Sequence, residues 1–207
     1  MTFRIPTYAL SYLFLGRQMR RYIAGINGQE HIPIGNGFVI AANHIDYLDG
    51  IYIGMIISRV TNRRVYFISR TNNYRLYRST IKIPKENKER VVVQSIERLR
   101  RGFSICYFPE GARNDQPELL PFKTGVVRTA IIGHVPVLPI GLIGPSGASY
   151  RDSILLLLRG RGRLTINIGA PISWPAPVGE LTREQLDAAT GQVAETVARL
   201  SGKLYNH

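Results

Sequence analysis

A chain of 207 residues with 44% hydrophobic content can fill one core, or at most two small ones. Its formal charge of +13 suits an anionic partner, whether phosphate groups, anionic lipid, an acidic carrier protein or nucleic acid, the alternative being a solvated face that only aids solubility. A single cysteine excludes an intrachain disulfide, the four histidines show no metal-ligand spacing, and no G-x-x-x-x-G-K-[ST] loop supports a nucleotidase.

In chain order, the first apolar run is "TYALSYLFLG" (7–16), well short of the roughly 20 residues that span a bilayer. No small-residue cleavage site follows it, so it does not read as a secretory signal. Drawn as a helix over residues 3 to 24, it lines up Tyr8, Tyr12, Leu15, Met19 and Ile23, with Arg17, Arg20 and Arg21 on the other side. Leu10 and Phe14 interrupt the polar face. The pattern suits a helix lying in the interface of an anionic membrane, its arginines among the head groups. The alternative is a helix packed on the core.

"GFVIAA" (37–42) reads as a short buried strand and "YLDGIYIGMII" (47–57) as an apolar helix. Between them stands His44, with Asp49 five residues on. On an ideal helix that spacing separates two side chains by about 140°. On a strand it sends them to opposite faces. The two can meet only if the chain turns between them. A strand-to-helix turn does this, with Asp46 as helix cap and Asp49 at the third helical position. The plainer alternative is that both acids only cap the helix and complement its dipole.

Further strands are predicted at 65–69, 79–83, 103–108, 135–140, 153–158 ("SILLLL") and 164–168. Helices are predicted over "ENKERVVVQSIERLRR" (86–101), stopped by Gly102, and "TGVVRTAII" (124–132), stopped by Gly133. A last helix starts from a capping box, Thr182 with Gln185, and repeats Leu186, Ala189, Val193, Val197 and Leu200. "LLLLRGRGRLTINIGAPI" (155–172) reads as an antiparallel pair. The alternation implies an α/β fold: a mixed, mostly parallel sheet of about seven strands flanked by helices. No linker divides the chain, so residues 28–207 form one domain behind an amphipathic N-terminal segment, residues 1–27.

Charge is concentrated between Arg59 and Arg101, with 13 Lys or Arg against Glu86, Glu89 and Glu97. Within that stretch, "YRLYR" (74–78) is the best place for a nucleic-acid-binding module, since stacking aromatics alternate with cations. Cys106 lies in the apolar run "FSICYF", where a free cysteine acts as a small hydrophobe with nothing nearby to activate its thiol. In "CYFPEGARND" the strand stops at Pro109 and Gly111 permits a turn. Glu110 and Arg113 are thereby presented at the strand's end, where open α/β sheets place ligands. The fork of Arg113 suits a phosphate. A Glu and Arg in a loop are otherwise a surface salt bridge.

Together and in this order, "NHIDYLD" and "FPEGAR" resemble the first and third signature blocks of the glycerolipid acyltransferase superfamily, typified by 1-acylglycerol-3-phosphate O-acyltransferases. "VPVLPIGL" (135–142) resembles the fourth block, "GQEHIP" (28–33) the lead-in to the first, "FKTG" (122–125) the segment after the third, and "IGAPI" (168–172) a late strand. The resemblance covers roughly residues 25 to 200. Ala112 replaces the usual threonine of the third block. In "STIKIPK" (79–85) Lys85 takes the place of the second block's arginine, and Arg70 stands where a lysine is common.

The resemblance implies transfer of a fatty acyl group from acyl-CoA or acyl carrier protein to the hydroxyl of 1-acylglycerol-3-phosphate or a similar lysophospholipid, in phospholipid biosynthesis. Glycerol-3-phosphate is the alternative acceptor. His44 becomes the general base and Asp49 its orienting partner. Asn43, Arg70, Lys85, Glu110, Gly111 and Arg113 become substrate-binding residues. No cofactor, metal or nucleic acid is implied. The expected location is the cytoplasmic face of the cell membrane, peripheral or monotopic, on an anionic surface.

Overall fold

The computed structural model describes residues 16–70, 79–84, 86, 89–176 and 179–207. "YRLYR" and Lys85 lie outside the described residues, as do Tyr8, Tyr12 and Leu15.

The elements are helix α1 (16–22 in its described part), β1 (Ile23–Asn27), β2 (Val39–Ala42), α2 (Asp49–Thr61), β3 (Val65–Ser69), β4 (Thr80–Lys82), α3 (Glu89–Arg100), β5 (Ser104–Tyr107), α4 (Gly125–Gly133), β6 (Val137–Ile143), α5 (Tyr150–Arg159), β7 (Leu164–Ile168) and α6 (Arg183–Ser201). The strands form one sheet in the order β1-β7-β6-β2-β5-β3-β4. Every neighbouring pair is parallel except β6 with β7. The chain is therefore α/β with a mixed, mostly parallel sheet, as its alternating elements implied.

Both faces of the sheet are covered, which is why the central strands "VIAA" and "SICY" are buried at every residue. Alternation along β2 divides the core in two. Ile40 and Ala42 join Met19 and Tyr22 of α1, the inner side of α2, and Leu157 of α5. Val39 and Ala41 join α3, α4 and α6 on the opposite face. The capping box of α6 forms as read, Thr182 Oγ1 accepting from the Gln185 N–H and Gln185 Oε1 from the Thr182 N–H.

Four expectations are corrected. "SILLLL" is not a strand but the body of α5. Ser149 caps it by accepting from the Asp152 N–H, and its buried residues are Ser153 and Leu157, four apart. An unbroken apolar run carries no period, so the cap decided the element. The seventh strand is instead β1, "IAGIN", where the first helix was expected to continue to residue 24. It pairs in parallel with β7, across 140 residues of sequence at Asn27 and Asn167. The antiparallel partner of β7 is β6, not the segment before it. At the end of α4, Gly133 is the last helical residue and His134 takes the left-handed cap, at φ 51°.

In the described part of α1, Met19 and Tyr22 are buried in the core, and Arg17, Arg20 and Arg21 are exposed. Among the described residues no helix is long and apolar enough to cross a membrane.

Candidate active site

β2, β5 and β3 lie side by side and parallel, so their carboxyl ends, and the loops that leave them, share one edge of the sheet. Asn43 is the first residue past β2. It is fully buried, and its side-chain amide holds both the N–H and the C=O of Leu142 on β6, at 2.7 and 3.0 Å. That pairing fixes where the chain leaves the sheet. Asn43, implied by resemblance to bind substrate, has both ends of its amide engaged by Leu142.

The turn that follows brings His44 and Asp49 together. His44 Nδ1 lies 2.9 Å from Asp49 Oδ2, which also accepts the N–H groups of Ile45 and Asp46, each at 2.8 Å. Asp49 is the first helical residue, not the third, and its carboxylate gathers the turn itself. Asp46 is not the helix cap. Its Oδ1 accepts from the Leu48 N–H, and its Oδ2 accepts from the Gly147 N–H at 2.9 Å and the Ser153 hydroxyl at 2.6 Å. Asp46 thus ties the start of α5 to the turn.

β5 supplies the other wall. Phe108 stacks on the His44 ring, centroids 4.1 Å apart. Glu110 is buried and faces inward: Oε1 accepts the His44 N–H at 3.0 Å, while Oε2 accepts from Asn114 Nδ2 and the Leu120 N–H. The Asn114 N–H returns a bond to the His44 carbonyl, at 2.7 Å. This carboxylate is spent on the backbone around the histidine. The resemblance had implied a substrate-binding residue; here all three of these bonds are made within the chain.

Arg113 is exposed. Its guanidinium carbon sits 3.4 Å above the Tyr47 ring and Nη1 donates to the Gly147 carbonyl. Gly111 has φ +75°, a left-handed conformation that favours glycine at this turn, and the Lys123 ammonium lies beside it.

Between these walls lies a cleft of about 690 Å³. Phe67, Ile83, Val91 and Phe108 give it apolar surface, and His44 lines it with 17% of its side chain exposed. Arg70, Arg113, Lys123 and Arg128 bring positive charge, Arg128 lying 3.9 Å from Glu89. Of the residues read as site candidates, the fold gathers His44, Arg70, Gly111 and Arg113 at this cleft, with Asp49, Glu110 and Asn43 behind them. Lys123 and Arg128 were missed as candidates. "FKTG" carried the signal for Lys123, while Arg128 is one turn further along α4 and had none.

Electrostatics single out Asp49. Burial, the largest influence, raises its carboxyl above the usual range, and the hydrogen bond and charge of His44 pull it back down. Its Oδ1 is buried without a hydrogen-bond partner. A carboxylate so poorly solvated gains most when its neighbour becomes an imidazolium. Cys106 is fully buried, and burial followed by the charge of Asp49 pushes its thiol well above the ordinary range. Among the described residues no cluster of three His, Cys, Asp or Glu is placed to hold a metal.

Residues 24–143 match the family described as Acyltransferase, and both turns lie inside that match. The chain belongs to this family. This acyltransferase is 24% identical, over 86% of its length and 88% of the relative's, to a Bacillus subtilis protein named 1-acyl-sn-glycerol-3-phosphate acyltransferase. A protein of the same name from Limnanthes alba is 26% identical over 58% of this chain, which spans 44% of that longer relative. The acyltransferase shares its fold with a Thermotoga maritima structure titled as the 1-acyl-sn-glycerophosphate acyltransferase PlsC. There the TM-score is 0.60 over 99% of this chain and 86% of the other, at 21% identity.

Proposed function

We propose that this acyltransferase moves a fatty acyl group from a thioester, acyl-CoA or acyl carrier protein, to the free hydroxyl of 1-acylglycerol-3-phosphate or a similar lysophospholipid. The observation that carries the reading is the His44–Asp49 pair, set on one wall of an apolar cleft that Arg113 also lines. The names of the Bacillus and Limnanthes relatives support the acceptor.

His44 Nε2, the ring nitrogen not engaged by Asp49, takes the proton of the acceptor hydroxyl as its oxygen attacks the thioester carbonyl. The C–S bond then breaks, and the departing thiolate recovers the proton from the imidazolium. Asp49 keeps Nδ1 protonated and stabilises the cation that forms between these steps. No covalent enzyme intermediate is involved, and the buried Cys106 is no nucleophile. Arg113, braced on Tyr47, holds the acceptor's phosphate, with Lys123 and Arg70 adding charge. The apolar part of the cleft takes an acyl chain. The exposed Arg17, Arg20 and Arg21 meet an anionic membrane surface, with which the enzyme associates as a peripheral or monotopic protein.

The test is transfer of labelled acyl groups to a panel of acceptors, with products identified by lipid mass spectrometry. Wild type should acylate 1-acylglycerol-3-phosphate, His44→Ala should lose on the order of 10²–10⁴ in rate, and Cys106→Ala should retain turnover. Near-wild-type transfer by His44→Ala, or an acyl group trapped on Cys106, defeats the mechanism.

A further inference from the structure

Helix α5 has an unusual balance of sequence and burial. Residues Ile154 to Leu158 are an unbroken apolar run, yet only Leu157 among them is buried. Ile154 and Leu156 pack against the edge of the core, while Leu155 and Leu158 join neither core cluster, and Leu158 is 44% exposed. At 100° per residue, Arg151, Leu155, Leu158 and Arg159 share a sector about 100° wide, facing away from Leu157. Single exposed apolar residues are ordinary. Here, of the eight large ones exposed among the described residues, three (Ile143, Tyr150 and Leu158) fall between the end of β6 and the end of α5.

The charge around this strip is all of one sign but for Asp152, which is engaged by the Ser149 hydroxyl. Arg151, Arg159, Arg161 and Arg163 are exposed, and none makes an ion pair among the described residues. The N–H groups of Gly162 and Arg163 donate to the carbonyls of Arg21 and Tyr22. The "RGRGR" turn is therefore fastened to the end of α1, where Arg17, Arg20 and Arg21 are also exposed.

We propose that α5 and the 159–163 turn dock on the surface of an anionic phospholipid bilayer. Leu155 and Leu158 enter the boundary between head groups and acyl chains, and the flanking arginines take the lipid phosphates. Nucleic acid would match the arginines and leave the leucines unused. A bilayer surface uses both, phosphate plane above and hydrocarbon below.

The position of α5 gives this docking a consequence for the reaction. Ser153 is bonded to Asp46 in the catalytic turn, and the Tyr150 ring meets the edge of Tyr47, on which Arg113 lies. Docking α5 turns the Arg113 side of the cleft toward the lipid that carries the acceptor. This consequence rests on the proposed acyl transfer, whereas the docking itself does not.

The experiment uses the full chain and co-sedimentation with vesicles of phosphatidylcholine, with and without phosphatidylglycerol. A cation near an anionic surface contributes roughly five-fold in binding, so Arg159→Gln, Arg161→Gln and Arg163→Gln combined should weaken binding to the mixed vesicles on the order of 100-fold at low salt. Leu155→Ser with Leu158→Ser should weaken binding at low and high salt alike. Both variants should keep the wild-type melting temperature and wild-type turnover of a dispersed short-chain acceptor. Wild-type vesicle binding by the arginine variant overturns the proposal and leaves acyl transfer standing. It is equally overturned if that variant loses binding to single-stranded RNA but not to vesicles, or if the leucine variant converts a dimer to a monomer without changing vesicle binding. Loss of vesicle binding in a protein that proves to have no transferase activity supports the docking and defeats the functional reading.

Discussion

Replacing Asp49 with Asn separates the charge of this residue from its geometry. Asp49 Oδ2 accepts from His44 Nδ1, Ile45 N and Asp46 N, while Oδ1 is buried without a partner. An asparagine with its carbonyl at Oδ2 and its amide at Oδ1 keeps all three bonds, so the turn and the histidine tautomer survive. What disappears is the negative charge facing the imidazolium. At about 4 Å and an effective dielectric near 20 that attraction is worth ~4 kcal/mol, a rate loss of roughly 1,000-fold if the imidazolium is fully formed in the transition state. Half-developed charge gives roughly 30-fold. Stability should depend on pH. Burial raises the Asp49 carboxyl in the folded protein, so its favourable contribution belongs to low pH and is lost as pH rises through the folded value. At pH 7 loss of the buried charge offsets the roughly 1–3 kcal/mol cost of an amide N–H without an acceptor, so the Asn variant should unfold at about the urea concentration of wild type and become the less stable of the two as pH falls toward 4. Turnover near wild type, or a clear loss of stability at pH 7, would refute the reasoning.

Glu110→Gln should behave oppositely to Asp49→Asn, because its carboxylate meets donors on both oxygens. Each N–H left facing the new amide costs about 1–3 kcal/mol, read from urea unfolding. A stable variant with only a raised acceptor KM would restore the substrate-contact role. Arg113→Ala should raise the acceptor's KM steeply with little effect on the acyl donor, and Arg113→Lys should rescue it only in part, since lysine loses the fork and the stack on Tyr47. Equal losses with a phosphate-free acceptor would count against the clamp. The Tyr22 phenol is pushed up to about 12, by burial first and then by Asp46 and Asp49. Its contribution to stability is full below pH 10 and is lost as pH rises toward 12, so Tyr22→Phe should flatten the alkaline fall in unfolding free energy over that window.

The amino-acid sequence by itself determined the features that are local. The apolar runs of β2 and β5, the capping box of α6, and the need for a turn between His44 and Asp49 all depend on residues within a few positions of one another. So does the loop of Glu110, Gly111 and Arg113, announced by a proline and a glycine. Tertiary structure decided what those residues do. Glu110 holds the His44 N–H across 66 residues, Asp46 holds Ser153 across 107, and Asn43 holds Leu142 across 99. None of these partners has a period or spacing to betray it. The same holds for β1, whose pairing with β7 turned the expected end of a helix into an edge strand. In α5 an apolar run was compatible with either element, and its cap and its packing beside the turn settled the matter. Caps and periodicity act over a turn or two of chain, whereas the partner of a buried polar group is whatever the sheet order brings beside it. A buried acid therefore took its role from topology, not from its neighbours in sequence.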